Sequence, residues 1–163
     1  MKPTLVFLFL LLNVALIGQD KVSMPTDKEG RPVLYIYDGL SIRSPEYAKT
    51  LDSTNFEKVE VITSNVDLYH NLPDNVVLVI ITTKEKVNKK LKAFTGTVSQ
   101  ITKDYPNLEY CVDGKILESD SLRLATFSRM KPHSYKISFY PPFRAVKKFG
   151  DSGKNAVIEV VPK

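Results

Sequence analysis

The alternation of apolar and polar positions divides the chain into an apolar opening, a polar stretch and a series of short strand-like and helix-like runs. Thr4 to Ile17 (TLVFLFLLLNVALI) is an apolar run interrupted by Asn13; it follows Lys2 and ends at Gly18 and Gln19-Asp20-Lys21. A basic residue, an apolar run of this length and a small residue together read as an export signal. The run is shorter than the ~20 apolar residues that cross a bilayer. The expected cut follows Gly18, with Ala15 or Gln19 as other positions, giving a signal over 1–18. Residues 19–31, polar and carrying Pro25 and Gly30, read as a flexible lead-in.

From Val33 the pattern becomes VLYIYDG, an apolar β-former run closed by Asp38-Gly39, the pair preferred in a two-residue hairpin turn. The same signal returns as LEYCVDG, closed by Asp113-Gly114. After the first turn come LSIRS and a helix over SPEYAKTLD, with Ser44 as cap and Pro45 at its first position. After the second come KILES and a helix-compatible stretch from Asp120 to Met130. FEKVEVI then alternates with period two through Val59 and Val61, as SYKISFY does through Ile137 and Phe139. DLYHNL and RAVKKFG read as short helical turns, and each half closes on a β-rich run after Asn75 or Asn155.

Five elements recurring in one order predict an internal duplication. The expected fold is α+β: two tandem modules over 32–84 and 106–163, each a small mixed sheet with short helices. The intervening 85–105 reads as a linking helix, because Val87, Leu91, Phe94, Val98 and Ile101 recur at helical spacing from Glu85 to Asp104. Superposed halves should place Gly39 on Gly114 and Asn75 on Asn155.

The second half, through YCVDGKIL, Lys136-Ile-Ser-Phe and Ala145-Val-Lys-Lys-Phe-Gly-Asp-Ser-Gly-Lys-Asn-Ala-Val-Ile-Glu-Val, resembles the plug domain of TonB-dependent outer-membrane receptors. The first half resembles it through LYIYDG, FEKVEVI and VVLVIITTK. The glycine-rich turn before the last strand is the most specific part of the likeness. Ala156 stands where that family has its third glycine, and the first half has Leu72-Pro73-Asp74-Asn75 in place of the glycines. The chain has no room for the barrel that encloses such a plug. The resemblance therefore implies a plug-like fold, used without a barrel in the Gram-negative envelope.

Composition changes this picture little. The net charge of +5 becomes +4 without Lys2, and the lysines gather at 84–92 and 144–154. A mild basic excess on an exported chain points to no nucleic-acid partner. The single cysteine, Cys111, excludes a disulfide framework within the chain and reads as a small buried hydrophobe. With no cysteine near the cut, no lipid anchor is expected, and the processed chain should carry no stable membrane anchor.

Several strings imitate catalytic motifs. Gly150-Asp151-Ser152-Gly153 spells a serine-protease nucleophile, which needs a histidine base and an acidic orienter; the histidines are His70 and His133. Gly150, Gly153 and Ala156 overlap the end of a dinucleotide fingerprint, but here they precede a strand rather than open a helix. Structural turns at Asp38, Gly39, Asp113, Gly114, Gly150 and Gly153 account for these residues more simply. No catalytic, metal or cofactor set is expected. Tyr35, Tyr37, Tyr140 and Phe143 are candidates for a partner surface, with core packing as the other reading of Tyr35 and Tyr37. Tyr140-Pro141-Pro142-Phe143 reads as an exposed loop. The expected function is a periplasmic or secreted, non-enzymatic interaction module with a protein partner. A glycan- or small-molecule-binding module using a cleft between the repeats is one alternative; a small hydrolase is the other.

Overall fold

The computed structural model describes residues 27–63, 72, 75–131 and 133–163. The signal segment, most of the lead-in, His70 and the DLYHNL turn up to Asn71 lie outside the described residues.

The first half contains β1 (Val33–Tyr37), β2 (Leu40–Ile42), the five-residue helix α1 (Pro45–Lys49), β3 (Phe56–Ile62) and β4 (Val77–Thr83). Helix α2 (Lys89–Asp104) follows. The second half contains β5 (Glu109–Val112), β6 (Lys115–Ile116), α3 (Asp120–Arg129), β7 (Tyr135–Tyr140), α4 (Pro142–Phe149), a 3-10 turn over Gly150–Gly153, and β8 (Val157–Pro162). The strands form two four-stranded mixed sheets of the same design, β2-β1-β4-β3 and β6-β5-β8-β7. In each, the two central strands run parallel and both edge strands are antiparallel to their neighbours. β1 and most of β4 are buried, which is why they read as continuous apolar runs rather than as alternation.

The ladders fix how the halves correspond. Leu34 pairs with Leu78 and Glu109 with Val157, while Val59 faces Ile81 and Ile137 faces Val160. With Gly39 set on Gly114, Val59 and Val61 fall on Ile137 and Phe139. Asn75 falls on Lys154, one residue short of the expected Asn155. Both hairpin turns use two positive φ angles, Asp38 at 46° with Gly39 at 84°, and Asp113 at 50° with Gly114 at 77°. That is the conformation for which Asp-Gly is selected.

Helix α2 is more than a linker. It begins at Lys89 rather than Glu85, after Asn88 takes a left-handed φ of 53°. Its Leu91, Phe94 and Val98 are fully buried in one core that also holds Tyr35, Val79 and Ile81 of the first sheet and Tyr110, Ile158 and Val160 of the second. Phe94 stacks on Phe127 at 4.0 Å and lies 6.0 Å from both Tyr110 and Tyr135. Such ring pairs each add about 0.5–1.5 kcal/mol beyond simple burial. The opposite face of the second sheet is covered by α4, which packs Ala145 and Phe149 over Cys111 and Val157.

Tyr140-Pro141-Pro142-Phe143 is not a loop: Pro141 is the N-cap of α4 and Pro142 its first residue, where the missing N–H costs nothing.

Candidate functional site

The two hairpin turns differ in what they hold. The Asp38 carboxylate is fully buried and accepts from the Thr83 amide (2.9 Å), the Thr83 hydroxyl (2.7 Å) and Asn88 Nδ2 (3.1 Å). Its carbonyl accepts from Thr95 Oγ1 at 2.7 Å. Asp38 therefore ties the β1–β2 turn to the end of β4 and to α2, and a Cβ on Gly39 would meet Thr95 Cβ at 2.9 Å. Asp113 and Gly114, in the equivalent turn, are exposed.

The Gly-Asp-Ser-Gly string is a turn that grips α4. Gly150 caps that helix with φ 62°, whereas Gly153 is required by proximity: a Cβ there would lie 2.2 Å from the Ala145 carbonyl carbon. Ser152 is exposed, and among the described residues its hydroxyl makes no hydrogen bond to a histidine. Ala156, in the third-glycine position, has φ 75° and is fully buried, a backbone conformation glycine would adopt without strain.

The candidate partner surface separates into two parts. Tyr35 and Tyr37 are 7% and 5% exposed and belong to the core, so a docking role for these two rings is overturned: alternation turned them onto the face shared with α2. Tyr140 is half-buried against Phe149, and its hydroxyl donates to Glu159 (2.9 Å) and accepts from Lys148 (2.9 Å). Phe143 is 64% exposed, on the same outer side of α4 as Val146. Burial pushes the Cys111 thiol pKa up, with the Glu159 charge adding to the shift.

The feature sequence reasoning missed is a polar seam between the repeats. Arg43, just after β2, pairs with Glu109 and donates to the carbonyls of Asn107 (2.8 Å) and Leu108 (2.7 Å). Asp120 accepts from the amides of Arg43 (2.9 Å) and Ser44 (2.8 Å). Arg123, 1% exposed, donates to Glu109 (2.9 Å), Asp120 (3.2 Å) and the Leu117 carbonyl (2.8 Å). Burial, then the nearby Arg43 cation, draws the Arg123 pKa down, while Glu109 and Asp120 oppose the shift. Two cations and two carboxylates thus make an electrically balanced cluster joining the halves. One signal was available: Asp120, Arg123 and Phe127 form one helical stripe, and a charged residue of each sign on a buried stripe indicates a paired interior.

A groove of about 460 Å³ opens beside this seam, lined by Arg43, Glu46, Tyr47, Glu118 and Asp120 among others. The helix ends bordering it are already capped, Ser44 Oγ accepting from the Tyr47 amide (3.0 Å) and Ser119 Oγ from the Leu122 amide (3.2 Å). The space between the sheets themselves is filled by Phe94, Phe127, Tyr110 and Tyr135. Among the described residues no group of three acidic, histidine or cysteine side chains is placed to hold a metal ion.

What remains open is the margin of each sheet. β3 and β7, seven and six residues long, are edge strands, and no described strand pairs with their outer sides. Comparison of the chain with family models, with curated proteins and with solved structures finds no match.

Proposed function

We propose that this chain is an exported, non-enzymatic interaction module of the Gram-negative envelope that recognises a protein partner by strand addition. The observation that carries the reading is the pair of long, solvent-facing edge strands, β3 and β7, held on one filled core. An edge strand presents unpaired N–H and C=O groups, and an extended segment that joins it gains backbone hydrogen bonds at little reorganisation cost. The motif-like residues support the same reading, since Asp38 and Gly153 are engaged in holding the fold. The export-signal pattern of residues 1–18 supports a place in the periplasm or beyond. A role beside TonB-dependent uptake is the sharper version and rests on the plug-like strands and glycine turn. The groove at the seam is the basis of a glycan- or small-molecule-binding alternative; it offers one aromatic side chain, Tyr47, and several carboxylates, a poorer lining for sugars than an aromatic platform.

The test is chemical cross-linking of the purified protein in envelope extract, with the linked residues mapped by mass spectrometry. Links concentrated at Lys58 or Lys136 on the edge strands are expected. Hydrolytic turnover abolished by Ser152→Ala, or the absence of any specific link, would refute the reading.

A further inference from the structure

The four sheet margins are not equivalent, and their differences single out one of them. β2 and β6 are three and two residues long, too short to template a strand. β3 is long but guarded: its register slips between Phe56 and Lys58, and it carries Glu57, Lys58 and Glu60, with Lys58 and Glu60 paired at 2.8 Å. Bulges and charges of this kind are how natural edges resist pairing. β7 has no bulge and fewer charges. Its register with β8 runs unbroken from Tyr135–Pro162 to Tyr140–Val157, and its one charge is Lys136.

The phase of that ladder shows which groups are open. The Lys163 amide donates to the Ser134 carbonyl at 2.9 Å, and Tyr135 faces Pro162, which has no amide hydrogen. Hydrogen bonding alternates along an antiparallel pair. Lys136, Ser138 and Tyr140 therefore bond to β8, and the backbone groups of Tyr135, Ile137 and Phe139 point away from the sheet. On the core side of this edge Ile137 and Phe139 are half-buried, with the Phe139 ring 5.3 Å from that of Tyr105. On the α4 side stand Lys136 and Ser138.

The charge around β7 is uncompensated. Lys131, Lys136, Arg144, Lys147 and Lys163 are exposed and belong to no ion pair among the described residues, whereas Glu159 and Asp151 are taken by Lys148 (2.7 Å) and Lys154 (2.9 Å). Residues 106–163 hold ten Lys and Arg against six Asp and Glu; residues 32–84 hold four against seven. Of the two halves, the one that carries β7 is thus the basic one.

We propose that the outer edge of β7 receives an extended acidic segment of a partner protein as a fifth strand of the second sheet. This rests on the interaction-module reading and assigns it an edge and a ligand chemistry. The incoming strand places acidic side chains on the α4 side, opposite Lys136 at the ~5 Å spacing of cross-strand neighbours. Its alternate, apolar side chains meet Ile137, Phe139 and Tyr105.

The test is fluorescence anisotropy with a labelled octapeptide of alternating Glu and Val. Saturable binding is expected, weakened roughly tenfold by Lys136→Glu, as a favourable cross-strand charge pair becomes a repulsive one. Lys58→Glu on β3 should leave it unchanged. The same peptide N-methylated at alternate residues should not bind, a control that leaves the protein's fold untouched. Equal binding of the N-methylated peptide, or of an alternating Lys and Val peptide, would overturn the proposal. So would concentration-dependent self-association lost in Lys136→Glu, which would put a second copy of the chain at this edge. If the Glu-Val peptide fails to bind while envelope cross-links map to β3, the β7 assignment falls and the interaction module stands. If no specific link forms anywhere, both fall.

Discussion

Replacing Glu109 by glutamine keeps the shape of the side chain and removes the charge that holds Arg43 and Arg123 together. Glu109 lies at the start of β5 and takes one guanidinium on each oxygen. With it neutralised, the seam keeps two cations against Asp120 alone, and the new amide turns an N–H toward a guanidinium that can only donate. Removing one member of a buried ion pair costs about 3–5 kcal/mol, chiefly because the remaining charge is stranded. The Glu109 side chain is 14% exposed and that of Arg43 24%, so water relieves part of this, whereas Arg123 at 1% has no such relief. A loss of about 3 kcal/mol is expected, a fall in Tm of roughly 6–12 °C for a chain of this size. Urea denaturation followed by far-UV circular dichroism should show a single transition with an unchanged slope, since both sheets share one core. Adding Arg43→Met should recover part of the loss, giving a coupling of about 1–2 kcal/mol between neighbours in one network. A loss below about 1 kcal/mol, or strict additivity in the double variant, would refute the seam as the connection between the halves.

Two further outcomes follow from local geometry. Gly153→Ala should cost about 2–3 kcal/mol in denaturation midpoint, because the added methyl meets helix backbone at 2.2 Å, while Gly114→Ala, in open space with φ 77°, should cost about 1 kcal/mol. The hydrogen bond from Lys148 holds the Glu159 carboxyl below its ordinary range, with the Tyr140 hydroxyl adding to the effect, so its contribution is complete above the unfolded carboxyl range and is lost as pH falls through the lowered folded value; pH-dependent melting should show this acid limb flattened in Glu159→Gln.

Much of the architecture was legible because it is written in local pattern. Asp38-Gly39 and Asp113-Gly114 declare their hairpins through the positive φ both residues adopt, and Ser44-Pro45 declares the start of α1 by capping chemistry. The start of α2 was less legible, because the left-handed Asn88 that delays it carries no strong sequence sign. Tyr140-Pro141-Pro142-Phe143 misled for the opposite reason: proline ends a strand and begins a helix with equal ease.

By itself the sequence determined the element types, the repeated order and the two-sheet α+β plan, since strand and helix periods, turn dipeptides and caps act over a few residues. The tertiary structure alone decided which face of each element is covered. It placed Tyr35 and Tyr37 in the core rather than on a surface and made α2 the shared filling between the sheets. It also brought Arg43 to Glu109 across 66 positions of chain. It left β7 in unbroken register with one charge, while β3 carries a bulge and three charges. Those outcomes depend on contacts between residues far apart in the chain, and a charged side chain looks the same in sequence whether it meets solvent or a buried partner.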